Sequence, residues 1–327
     1  MQTLPCEPAF VYSGGRADAP VVLGLPAMGA AARYYEPFAQ ALAAASGATV
    51  AFADLRGQGD SPYRARDGHD FGYREIVEDD LPALVEQLGV RHPGRPLVLL
   101  GHSLGGQLAA MAAHQFADRL AGIALIAAGT AHFRSWPRGA ARLKARLAVA
   151  GIALAARLLP WYPGERLGFG GDQPKRLMRD WTLNATTGHY VFERSRLGHE
   201  WATSCLSVPV LSLAVRDDPF APFGAMEELI GKLASASVTR ESMEGVREHP
   251  RARRHFSWAR RPDEAVGHVA PWLQALSPSA TLAARRAARH DRVAVPSPQA
   301  HAGAAHVSCC GPAEPDPRKA LGVTVSC

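Results

Sequence analysis

The sequence predicts an α/β domain: a mostly parallel central sheet flanked by helices, with a helical cap insertion. Three observations predict it. Short apolar runs rich in Val, Leu and Ala alternate with helical patterns, as strands joined by crossover helices do. The runs carry almost no polar residues and so read as buried strands. The alternation stops between about residues 131 and 200 and then resumes, which marks an insertion.

Taken in order, residues 20–25 read as a strand, followed by a small-residue turn and a helix over 31–45. Residues 48–53 form the next strand, ending at Asp54. A polar loop rich in Gly, Asp and Arg leads to a helix over 75–88, where Ile76, Leu84 and Leu88 stand near helical spacing. Residues 96–100 are a third strand, followed at once by a helix of small residues over 104–116, and 120–127 a fourth. The stretch 131–200 has tryptophans, prolines and Arg/Ala-rich helical patterns but no clear strand. It is expected to cap the strand ends, where open α/β sheets bind ligands. Strand character returns at 208–215, then a helix near 224–233, a weaker strand near 238–243 and a last helix over 262–276. Residues 1–276 are thus assigned to the α/β domain. Beyond Ser277 the composition shifts to Ala, Arg, Pro, Ser and His without apolar periodicity, and 277–327 are expected to be a disordered tail.

Composition narrows the function classes. Of 327 residues 47% are hydrophobic, enough for a sizeable core. The formal charge is +6, and half of it is local: Arg285, Arg286, Arg289, Arg292, Arg318 and Lys319 outweigh Asp291, Glu314 and Asp316 in the tail. With no nucleic-acid module beside it, this excess argues against a nucleic-acid partner. Five cysteines (Cys6, Cys205, Cys309, Cys310 and Cys327) are odd in number and lack zinc-ligand spacing, which reads as a reduced cytoplasmic protein. Residues 1–10 lack the basic start and apolar run of a signal peptide. The longest apolar stretch, 147–160, is broken by Arg157 and falls short of the about 20 residues a membrane span needs. Contact of 147–159 with a lipid surface is the alternative, but the stretch reads as cap packing, with no stable membrane insertion.

The chemistry gathers around Gly101-His102-Ser103-Leu104-Gly105, a G-x-S-x-G pattern. A buried strand enters it and a helix leaves it, so Ser103 sits on the tight turn that exposes a nucleophile. Gly101, Gly105 and Gly106 let strand and helix approach, and the helix start brings partial positive charge toward a developing oxyanion. A serine needs a base and an orienting acid, which on such a sheet follow in the order acid, then histidine. The acid is Asp217 or Asp218, both just after the strand at 208–215. The base is His255, expected in the loop before the last helix; His249 precedes a proline, His268 falls inside the last helix, and His102 reads as packing. Leu104, after the nucleophile, supplies one backbone N–H of an oxyanion hole. The loop Pro26-Ala27-Met28-Gly29 supplies the other.

Together these residues resemble the α/β-hydrolase superfamily, in particular bacterial hydrolases with a serine aminopeptidase-like domain. The resemblance spans roughly 20–276. It includes Asp54-Leu55-Arg56-Gly57-Gln58-Gly59-Asp60-Ser61, similar to a structural D-x-R-G-x-G-x-S loop, and the Gly-His-Ser-Leu-Gly-Gly turn. It extends to the cap segment 161–168 and to His255-Phe256. The family's loop spacing to Pro222 selects Asp218 over Asp217, and Met28 holds the third place of a degenerate H-G-x-G. Two positions depart from the family: Pro26-Ala27 replaces the usual His-Gly, and Arg254 replaces a common glycine before the histidine. The resemblance implies acyl transfer without metal or organic cofactor, on a small-molecule ester, amide or acyl substrate. An esterase or lipase-like carboxylester hydrolase is the first reading. Aminopeptidase or amidase, acyltransferase, and a non-catalytic binding protein are the alternatives.

Overall fold

Strands apolar at every position need cover on both faces, and here successive residues feed two separate cores. Val21, Leu23 and Leu25 of one central strand point to the first core and Val22 to the second; in its neighbour Leu97 and Leu99 oppose Val98 and Leu100. The computed structural model describes residues 7–195, 197–246 and 248–276. Its strands are β1 (Pro8–Ser13), β2 (Val21–Leu25), β3 (Thr49–Ala53), β4 (Leu97–His102), β5 (Leu120–Ile126), the short pair β6 (Tyr162–Pro163) and β7 (Asp172–Gln173), β8 (Pro209–Val215) and β9 (Ser237–Met243). Seven form one sheet in the order β1-β3-β2-β4-β5-β8-β9, parallel except for β1 against β3. β1 went unread in the sequence, because its burial alternates along an edge strand and its apolar run is correspondingly weak.

From β2 the chain passes to β3 on one side and to β4 on the other. The carboxyl ends of β2 and β4 therefore flank the switch point at which such sheets bind ligands, with Leu25 paired to Gly101. The helices are α1 (Glu36–Ser46), α2 (Leu81–Arg91), α3 (Leu104–Ala112), α4 (Ala140–Leu158), α5 (Gly164–Leu167), α6 (Lys175–Thr187), α7 (His199–Ser204), α8 (Phe223–Gly231), α9 (Arg251–Ser257) and α10 (Asp263–Ala275). Three elements depart from the sequence reading. The helix expected from residue 75 starts as a π-turn over Glu75–Asp80, because Pro82 has no N–H to return to the Glu78 carbonyl. The helix after Ser103 tightens to a 3-10 turn at Ala113–Phe116. His255, expected in a loop, lies in the last turn of the short helix α9. Residues 277–327, including the expected tail, lie outside the described residues, as do Cys6, Cys309, Cys310 and Cys327; Cys205 is exposed and free.

Between β5 and β8 the insertion carries α4 to α7 and β6–β7. Buried polar contacts fix it to the sheet domain. Arg176 on α6 reaches Glu75 at 2.8 Å. Asp180 accepts the Tyr73 N–H at 2.7 Å, and burial pushes its carboxyl up to about 7. His199 on α7 bridges Glu78, at 2.8 Å from Nε2, and His114, at 2.9 Å from Nδ1. Burial, with His199 beside it, lowers the His114 pKa to about 4. An unfolded histidine binds its proton near pH 6.5, so His114 costs no stability above that pH and a growing amount as pH falls toward 4. His114→Gln keeps a donor for His199 but cannot take up a proton. In urea melts, the native chain is expected to lose stability relative to His114→Gln as pH falls from 7 to 4; a constant difference would contradict this.

Candidate active site

Ser103 follows the buried strand β4 and caps α3 with φ 53° and ψ −118°. A non-glycine residue there costs about 1–3 kcal/mol of local strain, and close packing maintains it. A Cβ on Gly105 would lie 2.2 Å from the Leu25 carbonyl oxygen, so only glycine lets the start of α3 reach the end of β2. Ser103 N–H donates to Ile126 O at 3.2 Å. Leu104 N–H lies in the first turn of α3, where amides have no partner within the helix and the helix dipole is positive.

The loop after β2 is held from two directions. Ala27 N–H donates to Tyr35 Oη at 3.0 Å, and Tyr35 Oη lies 2.7 Å from His102 Nδ1. Burial raises the Tyr35 pKa and drives that of His102 well below its ordinary value. The phenol therefore keeps its proton and donates it to a neutral His102. One hydroxyl thus joins the Pro26-Ala27 loop to His102, the residue before Ser103. On the other side the loop meets the cap: a Cβ on Gly29 would approach Gly170 O at 2.7 Å. With Ala27 N–H committed, Met28 N–H has no acceptor among the described residues.

After β8 the chain turns through Asp217, at φ 57°. Of the two candidate acids it is Asp218 that meets His255. Its Oδ2 accepts from His255 Nδ1 at 2.6 Å, its Oδ1 accepts the Phe220 N–H at 2.8 Å, and the two side chains are 0% and 2% exposed. A donor at Nδ1 leaves Nε2 as the basic nitrogen. Trp258, fully buried, donates its indole N–H to His255 O at 2.8 Å. The His255 ring lies 4.6 Å from that of His102, the residue before Ser103. Phe220 and Phe256 stand 5.2 and 4.8 Å from it, and Phe169 from the cap faces Phe220 at 6.5 Å. His268 is drawn to Glu241, and the His249 carbonyl accepts from Arg254 Nε. The Asp54 carboxylate accepts the N–H groups of Ala32 and Asp60, a structural task.

Sequence reasoning missed Tyr35, Phe169, Phe220 and Trp258. Trp258 had a local signal, three residues after the histidine. Phe220 had one too, two residues after Asp218; Tyr35 and Phe169 act only through contacts that chain spacing does not encode.

A strained serine between β4 and α3, a buried carboxylate–imidazole pair whose ring lies 4.6 Å from that of the preceding His102 and a two-sided parallel sheet are the features of an α/β-hydrolase. The family model described as "Serine aminopeptidase, S33" matches residues 17–249, and the chain belongs to that family of hydrolytic enzymes. Over 114 residues it is 33% identical to the mouse sn-1-specific diacylglycerol lipase ABHD11; the match spans 35% of this chain and 34% of that relative. The fold is shared with a soluble variant of monoglyceride lipase from Saccharomyces cerevisiae, at TM-score 0.60 and 14% identity over 82% of this chain and 90% of that one. It is shared also with a structure of the metagenome-derived lipolytic enzymes LipS and LipT, at TM-score 0.55 and 18% identity over 84% and 98%.

The Tyr35 hydroxyl gives the site a direct test. Tyr35→Phe leaves a buried amide and a buried ring nitrogen unpaired, at a cost of about 1–3 kcal/mol. Urea unfolding is expected to register that loss, and kcat to fall about tenfold as the loop loosens. An unchanged kcat would show that the hydroxyl does not position the loop.

Proposed function

We propose that the protein is a serine hydrolase that cleaves carboxylic esters through a covalent acyl-enzyme. Ser103 is the nucleophile, His255 the base, Asp218 the orienting acid, and the N–H groups of Met28 and Leu104 the oxyanion donors. The observation that carries this reading is the buried 2.6 Å contact of His255 with Asp218, set beside the strained turn at Ser103.

In the first half-reaction His255 Nε2 takes the Ser103 proton as Oγ attacks the carbonyl carbon. Asp218 holds the imidazolium, and the two amides receive the charge on the former carbonyl oxygen. The tetrahedral adduct collapses, the alcohol leaves with the proton from Nε2, and the acyl group stays on Oγ. Water, deprotonated by the same nitrogen, then attacks the acyl carbon, releases the acid and restores Ser103. The aromatic walls at Phe220, Phe256 and Phe169 suit an apolar acyl chain, and relatives with lipase names favour an ester over the amide suggested by the family's name. Aminopeptidase action remains the second reading, supported by that name alone.

A fluorophosphonate probe is expected to label the native chain and not Ser103→Ala. Asp218→Asn is expected to lower kcat on p-nitrophenyl esters by about 10³–10⁴-fold, and Asp217→Asn to leave it within a few-fold of native. Labelling of Ser103→Ala, or a larger loss at Asp217 than at Asp218, would overturn the assignment. Faster turnover of aminoacyl anilides than of esters would select the amidase reading.

A further inference from the structure

The longest helix of the cap points its largest apolar side chains outward. Leu143, Leu147, Leu154 and Leu158 of α4 are 57%, 62%, 58% and 69% exposed. At 3.6 residues per turn they fall within an arc of roughly 60°. The opposite face carries the smaller Val149 and Ala156, both buried. Val149 packs with Ala131 and Ala185, and Ala156 joins the core with Ile152 and Ala155. The inner face thus satisfies the fold, and nothing inside the molecule needs the leucines. The sequence reading of this stretch as cap packing holds for the inner face and fails for the outer one.

Charge identifies what would cover that stripe. Residues 131–164 hold six cations, Arg134, Arg138, Arg142, Lys144, Arg146 and Arg157, and no Asp or Glu. On the helical wheel Lys144 flanks the leucines on one side and Arg146 and Arg157 on the other. Arg142 is occupied with the Trp136 carbonyl, but no carboxylate pairs with Lys144, Arg146 or Arg157 among the described residues. A second copy docking symmetrically through this face would set cations against cations with no acid to relieve them. An anionic lipid surface meets both needs, taking the leucines into its apolar edge and the cations at its headgroups. No described helix is long and apolar enough to cross a membrane, so the contact is peripheral.

We propose that the outer face of α4 is a docking surface for anionic lipid. The turn before α4 joins it to the candidate site. Trp136 Nε1 donates to Pro219 O, and Phe220, 40% exposed, stands over His255. Docking through α4 would place this mouth beside the lipid surface. The surface does not depend on the hydrolase reading, because neither the stripe nor its cations take part in it.

Flotation with vesicles tests the proposal with the full chain. The native protein and Ser103→Ala are both expected to rise with vesicles of phosphatidylcholine and phosphatidylglycerol, less with phosphatidylcholine alone, and less at high salt. Leu147→Glu with Leu154→Glu is expected to cut partitioning by at least about tenfold while circular dichroism and melting temperature stay native. Arg146→Glu with Arg157→Glu should lose binding to the anionic vesicles only. Failure of the native chain to float, equal flotation of the leucine variant, or equal binding to both vesicle types would overturn the proposal. So would a lipid-free dimer, seen by light scattering, that the leucine variant dissolves.

Discussion

The close approach of α3 to the end of β2 is the constraint on which the rest of the site depends. Parallel pairing of Leu25 with Gly101 puts two loops side by side at the sheet's carboxyl edge, one ending in a serine and one offering amides. They share the space only because Gly105 has no side chain to strike the Leu25 carbonyl. That contact holds Ser103 in a conformation it would not adopt alone, and directs the first amides of α3 to the same side as the loop after β2. Ser103, helix dipole and loop amide are thus positioned by one van der Waals limit. The strain at Ser103 is small beside the burial of β2 and β4, whose apolar side chains fill both cores.

Tyr35 adds a second tie to the same junction. Its ring stacks on Phe52 at 5.1 Å and leaves only the hydroxyl to reach the polar groups between the loops. There it accepts from Ala27 and donates to His102. A buried phenol is well suited to this task, since desolvation keeps it protonated and its rigid ring fixes the oxygen. The tie on the Pro26-Ala27 loop comes from a side chain eight residues on from Ala27.

What the sequence revealed and what it hid divide along one line: periodicity and short-range turns against contacts across the chain. The buried strands and the serine turn were legible because each rests on neighbouring residues. Asp217 and Asp218 were inseparable by chemistry alone. The choice between them lies in which side chain faces α9 after the turn at Asp217, and that depends on the backbone there. The helix around His255 escaped notice because seven residues rich in arginine carry no apolar stripe. β1 escaped because an edge strand needs burial on one face only. Tyr35 and Phe169 could not be found by any local rule.

The cap answers two demands with one helix. Its inner face is small, packing Val149 and Ala156 against Ala131, Ala185 and the core; its outer face is unconstrained by folding. A chain selected only for stability would place polar residues there, as water favours. The stripe instead has leucines in one narrow arc and cations on both borders, in a segment where no acid occurs for more than thirty residues. Chance exposure scatters apolar residues singly. Four aligned on one helix, beside cations that no carboxylate pairs with among the described residues and next to the mouth of the site, are organised for contact with something anionic and apolar at once.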